Sequence, residues 1–383
     1  MATSEFYMPT VNLFGVDKVE EVGQRLKGLG SKKTLIVTDQ GMVSLGHADR
    51  VAGIVREVGL EVVTFADVVP NPTDKNVEAG LKIFNEEGCD SIISLGGGSP
   101  HDCAKGIGLV AANGGTIHDY EGLDRSEKPM VPLAAINTTA GTASEMTKFT
   151  IITDTSRKVK MAIVDKHVTP TFSVNDPILM MGMPPSLTAA TGLDALTHAV
   201  EAYVSTAATP LTDACALKAI ELIPEFLPRA FANGQDLEAR EQMIYAQYLA
   251  GMAFNNASLG YVHAIAHQFG GFYDLPHGVC NAILLPHVSK FNLVARPDRF
   301  RDIAIALGEK VDGLSTYEAA EKAIAVIERL ARDMNIPSGF KELGAKEEDI
   351  QILAEHAMAD ACAATNPRKA KLEEVMEIIR QAM

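Results

Sequence analysis

Thiols, long apolar runs and positive charge are all scarce in this chain. Its five cysteines, Cys89, Cys103, Cys215, Cys280 and Cys362, are scattered, odd in number and form no CxxC pair. That excludes a disulfide framework and a thiolate zinc site, and it suits free thiols in a reducing cytoplasm. No apolar run approaches the roughly 18 residues that a membrane helix needs, so no membrane partner is expected. The first residues show no basic flank leading into an apolar stretch, so no secretory leader is read there. Basic residues number 34 against 49 acidic ones, for a net charge of −15. A field of that sign repels nucleic acid and anionic membranes, and neither is expected to bind.

What is present is a long chain with a great deal to bury. At 383 residues and 47% hydrophobic content, one core is too few and two domains are expected. Up to residue 184 strand-like and helix-like segments alternate: strands at 32–39, 61–69, 91–95 and 131–139, and helices at 46–58, 74–87 and 100–112. That alternation predicts a Rossmann-like α/β domain with a mainly parallel sheet and helices on both faces. Segments 148–154, 158–164 and 171–174 read as further strands with a hairpin among them. From residue 185 onward the apolar spacing is three to four throughout, which predicts an all-helical second domain over 185–383. Thr209 followed by Pro210 is a good helix opening, a hydroxyl cap before a proline at the first turn.

Two polar turns follow strands in the first half. Gly96, Gly97 and Gly98 separate a buried strand from a helix start in SIISLGGGSPHDCAK, with Ser99 as a candidate cap and Pro100 in the first turn. Glycine lets backbone N–H groups approach an anion, and the helix start adds partial positive charge, which suits a pyrophosphate. Tightness of the turn alone would also explain the glycines. Asp39 closes the first of these strands. It would accept from adenosine ribose hydroxyls and repel a 2′-phosphate, favouring NAD over NADP, or it would simply cap a helix. The turn after 131–139 offers Thr138, Thr139, Thr142, Ser144 and Thr147, either a hydroxyl-lined ligand groove or a solvated turn.

The sharpest pattern lies in the helical half. Asp194 and His198 are one helical turn apart, and so are His263 and His267, while His277 follows after Gly270–Gly271. Residues four apart share a helix face. Imidazoles on otherwise apolar helices are a costly way to fill a core, so the group predicts a divalent first-row cation with a position left for a substrate oxygen. Glu201, three residues past His198, is either a carboxylate partner to one of the imidazoles or a surface acid.

At these residues the chain resembles the iron-dependent (group III) alcohol dehydrogenase family. The resemblance runs from FYMP near the start to TNPR at 365–368 and is carried by GGGSPHDCAK, NTTAGTASE, VKMAIVD, GLDALTHAVEAY, GMAFNNASLGYVHAIAHQFGG and LPHGVCNA. It implies a dehydroquinate synthase-like fold, homo-oligomers, NAD as cofactor, and a small alcohol or aldehyde as substrate. It implies that Asp194, His198, His263 and His277 hold the metal, most simply Fe(II) with Zn(II) as the alternative. His267 would be the neighbouring histidine that moves a proton or holds the nicotinamide end. Asp39, Gly97, Gly98, Ser99, Thr138, Thr139, Thr147 and Lys160 match cofactor-contacting positions, and Phe149 and Phe254 match positions lining the substrate pocket. The expected reaction is hydride transfer between a small primary alcohol and NAD. A polyol dehydrogenase or a lyase of the same fold is the alternative. A metal-dependent hydrolase would leave both polar turns without a purpose, and a structural assembly protein is the third alternative.

Overall fold

Continuous apolar runs, rather than alternating ones, fill the central strands, as expected where a parallel sheet is covered on both faces. The computed structural model describes residues 5–8 and 11–383. Pro9, which ends the FYMP segment, lies outside the described residues, as do residues 1–4 and 10. The described strands are β1 (Val11–Phe14), β2 (Lys33–Val37), β3 (Glu61–Phe65), β4 (Ser91–Gly96), β5 (Gly122–Leu123), β6 (Leu133–Asn137), β7 (Phe149–Asp154), β8 (Val159–Val164) and β9 (Phe172–Asn175). Every residue of β4, β6 and β9 is buried.

Six strands form a sheet in the order β1-β9-β6-β4-β2-β3, all pairs parallel. Because side chains alternate across a strand, Leu35, Val37 and Ile92 pack on one face with Val77, Phe84, Cys103 and Ile107. Ile36, Ile93 and Leu95 pack on the other with Val22, Leu26, Val51 and Val55. This is the expected mainly parallel α/β arrangement. The strand order reverses between β2 and β4, and the crevice at such a reversal, beyond the carboxyl ends of the strands, is where open α/β sheets take ligands.

Of the three later segments, two form the antiparallel hairpin β7–β8, joined by β5 in a small second sheet. The third, β9, instead enters the main sheet between β1 and β6. Its wholly buried sequence suits an interior position better than a hairpin edge.

The chain divides into two compact units, residues 8–182 and residues 183–383, the latter including 5–7. The second contains no strand among its described residues. Its helices include Pro185–Val204, Pro210–Ala232, Leu237–Ala257, Tyr261–Tyr273 and His277–Leu293. Thr209 caps the second of these, its side chain accepting from the Thr212 N–H. Among the described residues no helix is long and apolar enough to cross a membrane.

Candidate metal centre and ligand turns

Helix Pro185–Val204 is buried along most of its length and carries Asp194 and His198 one turn apart. Small residues let neighbouring helices come close. A Cβ on Gly278 would lie 2.4 Å from the Ala190 carbonyl oxygen, so glycine there lets helix His277–Leu293 lie directly against this one. Three helices thus deliver four donors. The Oδ1 of Asp194 lies 4.0 Å from His198 Nε2, 3.9 Å from His263 Nε2 and 3.6 Å from His277 Nε2. Donor atoms of all four residues lie within 4.8 Å of one another. Four ligands held about 2.0–2.2 Å from one first-row ion stand roughly 3.3–3.6 Å apart. The array is slightly wider than that, so modest side-chain movement closes it on a cation.

The surroundings keep His263 in the form that binds metal. His263 is buried, and its Nδ1–H donates to Glu201 Oε2 at 2.6 Å, which leaves the Nε2 lone pair facing Asp194. Burial, then the neighbouring His198, holds the His263 pKa well below its ordinary value, so the ring is neutral. The other Glu201 oxygen accepts from the Val262 N–H at 2.7 Å. Burial pushes the Glu201 carboxyl up to about 7, with the N–H groups of Val262, Gly260 and His263 pulling against it. Glu201 is therefore the carboxylate partner and not a surface acid. His198 stacks between His263, at 4.6 Å between centroids, and Phe254, at 4.3 Å.

His267 stands beside this array. Its ring stacks on His277 at 5.5 Å, and its Nδ1–H donates to Asp360 Oδ2 at 2.9 Å. Burial works against charge on Asp360, but His267 and the Cys362 N–H outweigh it and hold the carboxyl below its usual range. A carboxylate on Nδ1 leaves His267 Nε2 as the proton acceptor.

In the sheet unit, the glycine turn and the hydroxyl-rich turn meet. A Cβ on Gly97 would lie 2.9 Å from Thr139 Cγ2, and one on Gly98 2.9 Å from Thr142 Cγ2. Gly96 has φ +147° and faces Pro100. Thr138 N–H donates to the Gly96 carbonyl at 3.0 Å. The buried Thr139 hydroxyl has no hydrogen-bond partner among the described residues. The helix after the turn runs Gly98–Asn113 and its cap is Gly97. Ser99 is thus inside the first turn and is not the cap, because the glycines let the helix begin earlier than a side-chain cap would require. Asp39 follows β2, and its Oδ1 caps the short helix Gln40–Ser44 by accepting from the Met42 N–H at 3.0 Å. Asp39 and the glycine turn therefore flank the strand reversal.

Thr147 and Lys160 have structural partners. Lys105, wholly buried, donates to the Thr147 carbonyl at 3.1 Å, the Phe149 carbonyl at 2.7 Å and Ser144 Oγ at 3.1 Å. Burial pushes its pKa down to about 8, against the pull of Asp102 and Glu145. Asp102 accepts from Ser144 Oγ at 2.6 Å and from the Ile151 N–H at 3.1 Å. Lys160 donates to Asn71 Oδ1 at 2.9 Å. Asp102, Lys105, Asp360 and Asn281 were not singled out from the sequence. The first two sit inside the GGGSPHDCAK motif, and Asn281 follows His277 by one helical turn, so a spacing signal existed for these three. Asp360 is remote in sequence from its partner and carries none.

A sequence model of the C-terminal part of the Fe-containing alcohol dehydrogenase family matches residues 188–383, and one for iron-containing alcohol dehydrogenase matches residues 9–177. The chain therefore belongs to the iron-containing alcohol dehydrogenase family, with its dehydroquinate synthase-like fold, and is a metal-dependent oxidoreductase acting on the CH–OH group. It is 53% identical over 380 residues to an NAD-dependent methanol dehydrogenase of Bacillus methanolicus, covering 99% of this chain and 100% of that protein. It is 56% identical over 385 residues to alcohol dehydrogenase 4 of Schizosaccharomyces pombe, covering 100% of this chain and 90% of that protein. The solved structure of a 1,3-propanediol oxidoreductase is similar along the whole of both chains, with a TM-score of 0.97 at 53% identity.

Proposed function

We propose that this chain transfers hydride between a small primary alcohol, or its aldehyde, and NAD, at a cation held by Asp194, His198, His263 and His277. The observation that carries this reading is three imidazole Nε2 atoms turned on one buried carboxylate oxygen. One acid and three imidazoles suit Fe(II), with Zn(II) as the alternative. A divalent cation there supplies Lewis-acid polarisation of the substrate oxygen.

The chain's own residues do the rest. Phe254, stacked on His198, supplies an apolar wall beside the array. Phe149 opens β7, and its place in the substrate pocket rests on the family resemblance. His267 takes up the substrate proton on Nε2 while Asp360 holds its other nitrogen. The N–H groups at Gly97, Gly98 and Ser99 and the start of helix Gly98–Asn113 receive pyrophosphate. Thr138, Thr139, Thr147 and Lys160 complete the dinucleotide's surroundings. Asp39 keeps one oxygen for the ribose while the other caps its helix. The functional division follows residues 1–184 for dinucleotide and 185–383 for metal. The protein works in the cytoplasm, in keeping with its acidic charge and free thiols, and as a homo-oligomer, as the family resemblance implies.

The relatives include a methanol dehydrogenase and a 1,3-propanediol dehydrogenase, so polyols stand as the second substrate class. A steady-state panel of alcohols, diols and aldehydes with NAD and NADP, on protein of measured metal content, ranks them. His263→Ala is expected to lose metal and activity while still binding NAD. Full turnover by metal-free protein would refute the scheme.

A further inference from the structure

We propose that Asn281 is a fifth working member of the metal centre, closing the face formed by Asp194, His263 and His277 with its side-chain amide. The inference rests on the reading of that array as a cation site. Asn281 is wholly buried and lies one turn after His277 on the same helix, so helix geometry turns both side chains to one face. Its Nδ2 lies 2.7 Å from Asp194 Oδ1, 3.0 Å from His263 Nε2 and 3.1 Å from His277 Nε2. One nitrogen therefore touches three of the four donor atoms. Its Oδ1 is buried and has no hydrogen-bond partner among the described residues.

Packing alone does not explain this arrangement. A filler at that position would be apolar, because a buried amide oxygen without a partner is unfavourable and is rare in folded proteins. The two halves of the amide instead suit two tasks. The N–H groups point at lone pairs, which requires His263 and His277 to be unprotonated at Nε2. For His263 this agrees with the Nδ1–H bond to Glu201 at the far side of the ring. The oxygen is a hard donor of the kind divalent first-row cations accept. The terminal torsion of asparagine is broad and roughly two-fold, so a half-turn exchanges nitrogen for oxygen at the same place. With N–H inward the amide spaces the donors; with oxygen inward it faces the cation. In both positions the side chain occupies this face, so substrate oxygen must approach from elsewhere.

The test uses full-length protein with Zn(II) and Co(II) as probes. Affinity is read by competition with a chromophoric chelator, and coordination by the visible d–d bands of Co(II). Asn281→Leu, similar in size and without donors, is expected to weaken Zn(II) binding by about 10–100-fold and to change the Co(II) bands. Asn281→Asp, which keeps oxygen and volume, is expected to bind Zn(II) at least as tightly as the parent protein. Both variants matching the parent in Zn(II) affinity within twofold, with an unchanged Co(II) spectrum, would overturn the proposal. If Asn281→Leu does not fold, Asn281→Asp decides alone: weaker binding than the parent counts against the oxygen role. His198→Ala serves as control. Loss of the Co(II) bands there, with no effect at Asn281, would leave the cation site standing and remove only Asn281 from it.

Discussion

Replacing Glu201 by glutamine tests how the metal centre is held in shape. In the native protein Glu201 accepts two short hydrogen bonds, from His263 Nδ1–H at 2.6 Å and from the Val262 N–H at 2.7 Å. Glutamine has one acceptor oxygen, so its NH2 group must face one of those two donors. If it faces the imidazole, His263 escapes the clash by moving its proton to Nε2, and the lone pair aimed at Asp194 is lost. If it faces Val262, a buried N–H is left unsatisfied, at a cost of about 1–3 kcal/mol. Groups that orient metal-bound histidines affect metal affinity by about 10–100-fold, which corresponds to about 1.4–2.8 kcal/mol. Zn(II) affinity measured by chelator competition, alongside urea unfolding of the metal-free protein, separates the two costs. A Glu201→Gln protein that folds normally and binds Zn(II) within twofold of the parent would refute the claim that this carboxylate sets the His263 tautomer.

Asp39→Gly is expected to raise turnover with NADP relative to NAD. It should cost only a few tenths of a kcal/mol in helix capping, so an unchanged coenzyme ratio counts against the ribose role rather than against the fold. Asp154 bears on acid stability. Burial opposes its charge, but hydrogen bonds from Ser156 and Arg157 outweigh this and hold its pKa well below the usual carboxylate value. Its contribution is thus present above the unfolded-state pKa of about 3.9 and lost as pH falls below it. Asp154→Asn should destabilise by about 1.5–3 kcal/mol at neutral pH, and thermal melts should show the gap narrowing below pH ~4; a gap independent of pH would contradict the assignment. Gly278→Ala should lower the melting temperature and cost about 1–3 kcal/mol, because the Ala190 carbonyl 2.4 Å from the new Cβ is backbone and cannot rotate away.

Much of the fold was legible because its signals are local. Wholly buried strands such as β4 and β6 stand out as apolar runs, and the Asp194–His198 and His263–His267 pairs stand out as one-turn repeats. β1 was not legible, since four residues with an exposed first position carry no distinguishing pattern. The destination of β9 was not legible either, because strand order is decided by packing between distant segments. At the site, sequence spacing supplied the imidazoles but not what turns them. The Asp360–His267 bond joins residues brought together only by the fold. The Asn281 amide meets atoms from three different helices, so its one-turn spacing from His277 reveals only one of its three contacts. The roles of Ser99 and Asp39 were blurred for a different reason: a helix start offers the same N–H groups to a cap and to a phosphate, and residue types alone do not say which is served.

Because Asp194 and His198, His263, and His277 sit on separate helices, a cation gripped by all four behaves as a removable rivet through the helical unit. An ion bound only by folded protein, at a free concentration one hundred times its dissociation constant, adds about 2.7 kcal/mol to stability. Stripping it with a chelator should therefore speed amide exchange and proteolytic nicking in helices Pro185–Val204, Tyr261–Tyr273 and His277–Leu293, while the parallel sheet keeps its protection. Metal supply would then govern the lifetime of this protein in the cell as well as its turnover.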